Sequence, residues 1–331
     1  MFTLKVKVFL TFNLNFRHLA FNIKHMAAHP EPVEGCITHL LSTNHASSII
    51  MSVIIDFHTH LVPPAIKERR DKYLKDACFS MLYSEPKAKL ITADELITAM
   101  DEYEIEKSVV LNLGWTSHEL CVETNDYILE SVDRFPNRLI GFCAVQPLAG
   151  DKAVKELERC TRSGAKGIGE MRPDVQGFDF QDRSVMKPVI EAIIENKLIF
   201  LTHASEPVGH QYFGKGTITP EVIYPFIVNF PDLKLVFAHW GGGLPFYGLM
   251  PEVKEALLNV YFDTAATPFL YKPQIFKQVV DIVGSDKILF GSDYPLLSPK
   301  RIIDQIEEVG LSPEDKSKIL GGNAQKLLSS T

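Results

Sequence analysis

The chain has five cysteines, Cys36, Cys78, Cys121, Cys143 and Cys160, and no two of them form a Cys-x-x-Cys pair. A zinc ribbon is therefore excluded, and an odd, scattered set makes no disulfide framework. A reducing cytoplasm is the compartment this implies. No apolar run approaches the roughly 20 residues that a membrane helix needs, so no membrane association is expected. Positive charge is also lacking. The net charge is −7, and no basic cluster has aromatics interleaved, which argues against a nucleic-acid partner. A small-molecule substrate is the expected partner, and a homodimer is compatible with the composition.

Acidic residues are missing from one place in particular. Residues 1–30 contain no Asp or Glu, while Lys5, Lys7, Arg17 and Lys24 lie among them. Their apolar stretch at 6–12 is too short and interrupted for a signal-peptide core. His29-Pro30-Glu31-Pro32 and the Ser/Thr/Asn stretch at 42–48 read as unstructured linker. Residues 1–50 are thus expected to be a disordered or non-native extension, with Met51 as the working start. A targeting segment or an added structural element is the alternative.

The remainder, 51–331, suits one α/β barrel of roughly 250 residues better than two domains. Hydrophobic content of 46% and charged content of 23% are those of an ordinary globular protein. Apolar runs alternate with amphipathic stretches. Strands are expected at 53–57, 107–113, 138–145, 165–170, 197–202, 233–238, 260–263 and 287–291. Helices fall between them, for example at 93–103 behind the N-cap Thr92, at 118–135, at 153–162 and at 184–195. Eight such units predict a closed parallel (β/α)8 TIM barrel. Two additions are expected: a capping insertion at 61–90 after strand 1, and a C-terminal helical extension opening at Ser312-Pro313-Glu314-Asp315.

Chemistry-bearing residues recur at the ends of these strands. The run Ile54-Ile55-Asp56-Phe57-His58-Thr59-His60 closes strand 1 with two histidines two residues apart. Residues spaced by two share a face of a strand, so both imidazoles project together. Glu170, His203, His239 and Asp293 each close a later strand, at spacings of 33, 36 and 54 residues. Barrel active sites are built on that face, and core histidines have no reason to recur there. His58, His60, His203 and Asp293 supply three nitrogens and one oxygen, a set that zinc accepts readily and that Mn, Fe or Co could also occupy.

His239 is read as the catalytic acid or base, with Gly241-Gly242-Gly243 opening room beside it, or else as a further ligand. Glu170 is a ligand, a bridge to a second metal, or the partner of Arg172. Arg172 either grips a substrate carboxylate or forms an internal ion pair. Glu206, His210 and Tyr212 sit in the loop after strand 5 as substrate contacts or plain surface. Trp115 and Trp240 are apolar walls or packing.

These pieces together resemble the amidohydrolase superfamily, in the amidohydrolase-related branch that includes aminocarboxymuconate-semialdehyde decarboxylase and hydroxybenzoate-type decarboxylases. The resemblance rests on Asp56-Phe57-His58-Thr59-His60, His203, His239-Trp240-Gly241-Gly242-Gly243-Leu244-Pro245-Phe246, Gly291-Ser292-Asp293-Tyr294-Pro295 and Asn323-Ala324. It implies that His58, His60, His203 and Asp293 bind the metal and that His239 polarises or deprotonates water. Two positions depart from the decarboxylase pattern. His203-Ala204 replaces the His-Pro expected after strand 5, and Glu170 places a carboxylate where decarboxylases usually have none. Such a carboxylate resembles the two-metal hydrolases of the wider superfamily. The leading expectation is therefore a metal-dependent hydrolase acting on a small ester, lactone or amide, with His239 and Asp293 moving the proton. The alternative is a metal-dependent decarboxylase of an unsaturated or aromatic carboxylic acid.

Overall fold

The computed structural model describes residues 53–331. The expectations for residues 1–50, and for the start at Met51, lie outside them. Eight parallel strands follow one another around a single sheet: β1 Ile55–His60, β2 Lys107–Leu111, β3 Leu139–Cys143, β4 Gly167–Met171, β5 Ile199–Thr202, β6 Leu235–Phe237, β7 Val260–Asp263 and β8 Ile288–Leu289. Helices connect them on the outside, so this is the expected (β/α)8 barrel. The ring is closed between β8 and β1 by backbone bonds from Phe57 N to the Phe290 carbonyl (2.7 Å), His60 N to the Tyr294 carbonyl (2.8 Å) and Asp293 N to the His58 carbonyl (2.9 Å).

The strands are buried on both faces, as parallel strands under a helical layer must be. Ile55, Phe57, Val109, Leu111, Phe142, Ile199, Leu201, Val236 and Leu289 fill the barrel interior. Packing there is tight enough to dictate a glycine. A Cβ at Gly167 would lie 2.3 Å from the Phe142 ring, which occupies the space that Gly167 leaves. The far end is plugged by the C-terminal extension. Ala324 and Leu327 join the interior cluster, and the Asn323 amide donates to the carbonyls of Ser285 (2.7 Å) and Ile288 (2.8 Å).

The insertion after β1 forms three short helices, Pro64–Glu68, Arg70–Tyr73 and Ala77–Tyr83. Asp76 ties it down. One carboxylate oxygen caps Cys78 N and Phe79 N (3.0 and 3.1 Å), and the other accepts from Thr116 N (2.9 Å) on the loop after β2. Phe79 stacks on Trp115 at 5.3 Å between ring centres. Trp115 is therefore packing beneath the cap and no cavity wall. The first helix of the outer layer starts as expected, with the Glu95 carboxylate accepting from Thr92 N at 2.8 Å. Every strand but β7 differs from expectation by one to three residues at one end or both, and two of the shifts bear on the site. β1 runs on to His60, so both histidines sit inside it. β8 is two residues long, because the chain turns after Phe290 through Gly291 and a left-handed Asp293 (φ 68°). No helix of the described residues is long and apolar enough to cross a membrane.

Candidate active site

The strand ends bring their polar residues to one point. On β1, His58 and His60 share a face, and their Nε2 atoms stand 3.1 Å apart. Each ring is turned by a bond behind it. His58 Nδ1 donates to Asp263 at 2.8 Å, and His60 Nδ1 donates to the Leu111 carbonyl at 3.3 Å. Both bonds leave Nε2 with its lone pair facing the cluster. Across from them, Glu170 Oε2 lies 3.8 Å from His58 Nε2 and 3.6 Å from His60 Nε2. Asp293 Oδ1 lies 3.8 and 3.5 Å from the same two nitrogens. His58, His60 and Glu170 offer ligand atoms within 4.8 Å of one another, as do His58, His239 and Asp293, which is within the reach of a shared ion.

His203 is placed differently from the other expected ligands. Its Nδ1 is 2.8 Å from Glu170 Oε1, and its Nε2 is 3.0 Å from the Ser205 hydroxyl. Grouped by mutual ligand distance, His58 and His60 cluster with Glu170, His58 clusters with His239 and Asp293, and His203 clusters with Glu170 and His239. Glu170 and His239 thus join the β1 histidines to His203, with His239 Nε2 3.6 Å from Glu170 Oε1. His239 has a left-handed backbone (φ 55°), held by Asp263 Oδ1 accepting from its N–H at 2.9 Å. Its Nδ1 donates to the Ala265 carbonyl at 3.2 Å, which again frees Nε2.

Asp263, which is not among the residues expected at the site, orients both His58 and His239 from complete burial. A signal was present: it is the last residue of its strand, at the same end as every other member of the cluster.

The electrostatics call for a cation. Burial would raise Glu170, but the His203 hydrogen bond and the neighbouring His239 and His58 imidazoles hold its carboxyl well below the usual range. Burial opposes ionisation of Asp293 as well, yet the neighbouring His60, His58 and His239 imidazoles draw it down to about 2. Burial should depress His58, but Asp263, with Asp293 and Glu170 behind it, lifts it to about 10. A divalent cation held here would offset that carboxylate charge, with the Nε2 atoms of His58 and His60 as its nitrogen donors. Imidazoles and ionised carboxylates at these distances fit such an ion.

Above the cluster opens a cavity of about 350 Å³ with His60, Glu170, His203, His239 and Asp293 at its floor. The cap contributes Leu82 and Tyr83, the loop after β5 contributes His210, Tyr212 and Phe213, and Phe269 and Leu296 close the sides. His210 is thus at the wall. Glu206 is not; it faces a neighbouring cavity of about 330 Å³ and accepts from the Tyr212 hydroxyl at 3.0 Å. Trp240 is not at the wall either. Its backbone turns away at φ 58°, its indole N–H donates to Thr267 at 2.8 Å, and its ring packs edge-on against Phe276 in the core. The chain reverses immediately after His239, so the next side chain points outward.

The amidohydrolase family model matches residues 55–329. The chain belongs to the amidohydrolase family. Among curated members of that family, it is 25% identical to gamma-resorcylate decarboxylase of a Polaromonas species over 71% of this chain and 86% of the relative. It is 24% identical to the 2-amino-3-carboxymuconate-6-semialdehyde decarboxylase of Dictyostelium discoideum over 84% of this chain and 92% of the relative. Among solved structures, 5-carboxyvanillate decarboxylase of Novosphingobium aromaticivorans superposes with a TM-score of 0.70 at 18% identity, covering 84% of this chain and 96% of that one. That structure holds manganese and 4-hydroxy-3-methoxy-5-nitrobenzoic acid.

Proposed function

We propose that this amidohydrolase-family enzyme is a metal-dependent decarboxylase of an aromatic or unsaturated carboxylic acid. One observation carries the reading: the carboxylate–imidazole cluster lies at the floor of a cavity of about 350 Å³ whose walls are mainly apolar and aromatic. Such a slot fits a flat, monocyclic acid lying with its polar end on the cluster. Both curated relatives are named decarboxylases, which supports the same choice.

The expectation of hydrolysis rested on two departures from the decarboxylase pattern, His203-Ala204 and the carboxylate of Glu170. Glu170 Oε2 faces His58 and His60 while Oε1 faces His203 and His239, so this carboxylate links both pairs beneath the cavity whether the reaction is hydrolysis or decarboxylation. Manganese is preferred to zinc as the resident ion, because two carboxylates join the imidazoles of the set and a structure of similar fold binds it.

A bound divalent ion would polarise the substrate's oxygens and draw electron density away from the bond to be broken. The carboxyl group then leaves as carbon dioxide, and the bonding pair remains on the carbon, which takes up one proton. His239 and Asp293 face the cavity and are the groups placed to deliver it. The apolar walls hold the ring and keep water from the reacting carbon.

The test is incubation of manganese-loaded protein with a panel of hydroxybenzoates and lactones in deuterated water. Carbon dioxide release with one deuteron at the former carboxyl carbon is expected. Lactone opening without gas would overturn the reading in favour of hydrolysis.

A further inference from the structure

Glu170 links both halves of the floor, yet the sheet does not hold it in the ordinary way. Pairing of β3 with β4 ends at Cys143 and Ile168. Pairing of β4 with β5 shifts register between Ile168 and Met171. The peptide joining Gly169 to Glu170 falls in that gap, and both of its polar groups go to one residue. Glu170 N donates to the Asn112 carbonyl at 2.8 Å, and Asn112 N donates to the Gly169 carbonyl at 2.9 Å. Asn112 lies one residue past β2, so the chain there reaches beyond β3 to grip β4 directly.

The backbone of Asn112 is fixed in turn by its own side chain, which is buried. Oδ1 accepts from Leu113 N (2.7 Å), the Thr124 hydroxyl (2.8 Å) and the Trp115 indole (3.2 Å). Nδ2 donates to Asn125 Oδ1 (2.6 Å) and the Cys121 carbonyl (3.3 Å). The bond to Leu113 N turns the chain just after the peptide that meets Glu170. Beyond that turn the loop is pressed against β4: a Cβ at Gly114 would lie 2.9 Å from Arg172 Cβ. The Arg172 side chain is less fully met. Its Nη2 donates to the Gly214 carbonyl at 2.7 Å, and its Nε, sealed from solvent, has no acceptor.

Asn125 is an internal control. It is as buried as Asn112 and shares its network, bonding Ala144 N (2.8 Å), the Ala144 carbonyl (2.9 Å) and Glu156 (2.8 Å). It makes no bond to the Glu170 backbone. Neither amide side chain hydrogen-bonds an imidazole or carboxylate of the cluster.

We infer that Asn112 is a positioning residue: its side chain sets the backbone that aims the Glu170 carboxylate, and through it the affinity for the ion. Groups that orient a ligand without touching the metal act this way in general. The inference rests on the floor's being the metal site of the proposed enzyme, whatever reaction follows, so its test needs no turnover.

The test is competition between the full chain and a fluorescent chelator for manganese, with thermal unfolding measured alongside. Asn112→Ala should bind manganese roughly 10–100-fold more weakly than the wild-type chain. Asn125→Ala should lose comparable thermal stability, since it also strips a buried network, but should bind manganese as the wild-type chain does. Asn112→Asp keeps the three accepted bonds and should recover most of the affinity. If Asn112→Ala does not fold, Asn112→Ser, which keeps one acceptor, carries the same comparison. Unchanged affinity in the Asn112 variants would overturn the inference. An equal loss in Asn125→Ala would overturn it too, by marking a general loosening of the barrel. A loss confined to Asn112 supports it even if no acid releases carbon dioxide, an outcome that would remove the decarboxylase alone.

Discussion

At the cavity floor, the strand-end imidazoles are held twice, once by the backbone and once by a bond behind the ring: His58 by Asp263, His60 by the Leu111 carbonyl, His239 by the Ala265 carbonyl. The cavity roof is held more simply. Its side chains come from the cap and the loops, touch a ligand through apolar surface, and are partly in water, with Phe213 78% and Leu296 60% exposed. The difference follows from what each region does. A coordination shell works within a few tenths of an ångström, so its donors need rigid supports. An apolar wall loses affinity gradually as it shifts, so loops suffice. Substitutions in the floor should therefore act on metal content and turnover, and substitutions in the roof on KM alone.

The largest effect is expected at Glu170. Wild-type protein should keep about one divalent ion per chain through dialysis, and Glu170→Ala should keep none. Its turnover should fall by roughly a thousandfold or more, since several kcal/mol of charge stabilisation go with the ion. Elemental analysis that still finds one ion per chain in Glu170→Ala would refute the floor as drawn.

Next is Asp263→Asn. The amide keeps the shape but loses the charge that turns His58, so metal affinity should drop by roughly 10–100-fold while the fold persists. Competition with a fluorescent chelator measures this. An unchanged affinity would mean that the floor does not depend on its supports, which would collapse the contrast with the roof.

A smaller effect belongs to the roof. Leu82→Ala should raise KM by roughly tenfold with metal content and thermal stability nearly unchanged, because it removes apolar contact from one wall. Loss of metal in that variant would show that the cap supports the floor as well as covering it.

The smallest effect should come from the outer layer, remote from both. Lys300 and Asp304 form an exposed pair at 2.7 Å on the helix Pro299–Glu308. Lys300→Ala should change stability by no more than about 0.5 kcal/mol and leave turnover and KM alone. A change in turnover there would argue that loop and helix positions are coupled to the site at long range.

Much of this molecule was legible in the linear pattern. Apolar runs spaced by amphipathic stretches gave the strand count, and the strand-end positions of His58, His60, Glu170, His203, His239 and Asp293 marked the floor. Distances between side chains were not legible. Spacing put His203 in a set with His58 and His60, and it is the fold that links them, through Glu170, whose Oε1 lies 2.8 Å from His203 and whose Oε2 lies 3.6 Å from His60. Trp240 looked like a wall because it follows His239, but a left-handed turn sends it into the core. Glu206 looked like a contact and faces a neighbouring cavity instead.

By itself the sequence determined the barrel, the face that bears the chemistry and most of the residues on it. Strand periodicity and terminal position are local properties, written in neighbours along the chain. Only the tertiary structure decided that Asp263 supports two histidines, that Glu170 stands at the centre and that Arg172 is buried without a full set of acceptors. Each of these depends on where strands far apart in sequence bring their side chains, and on which hydrogen bonds remain unmade once they are packed.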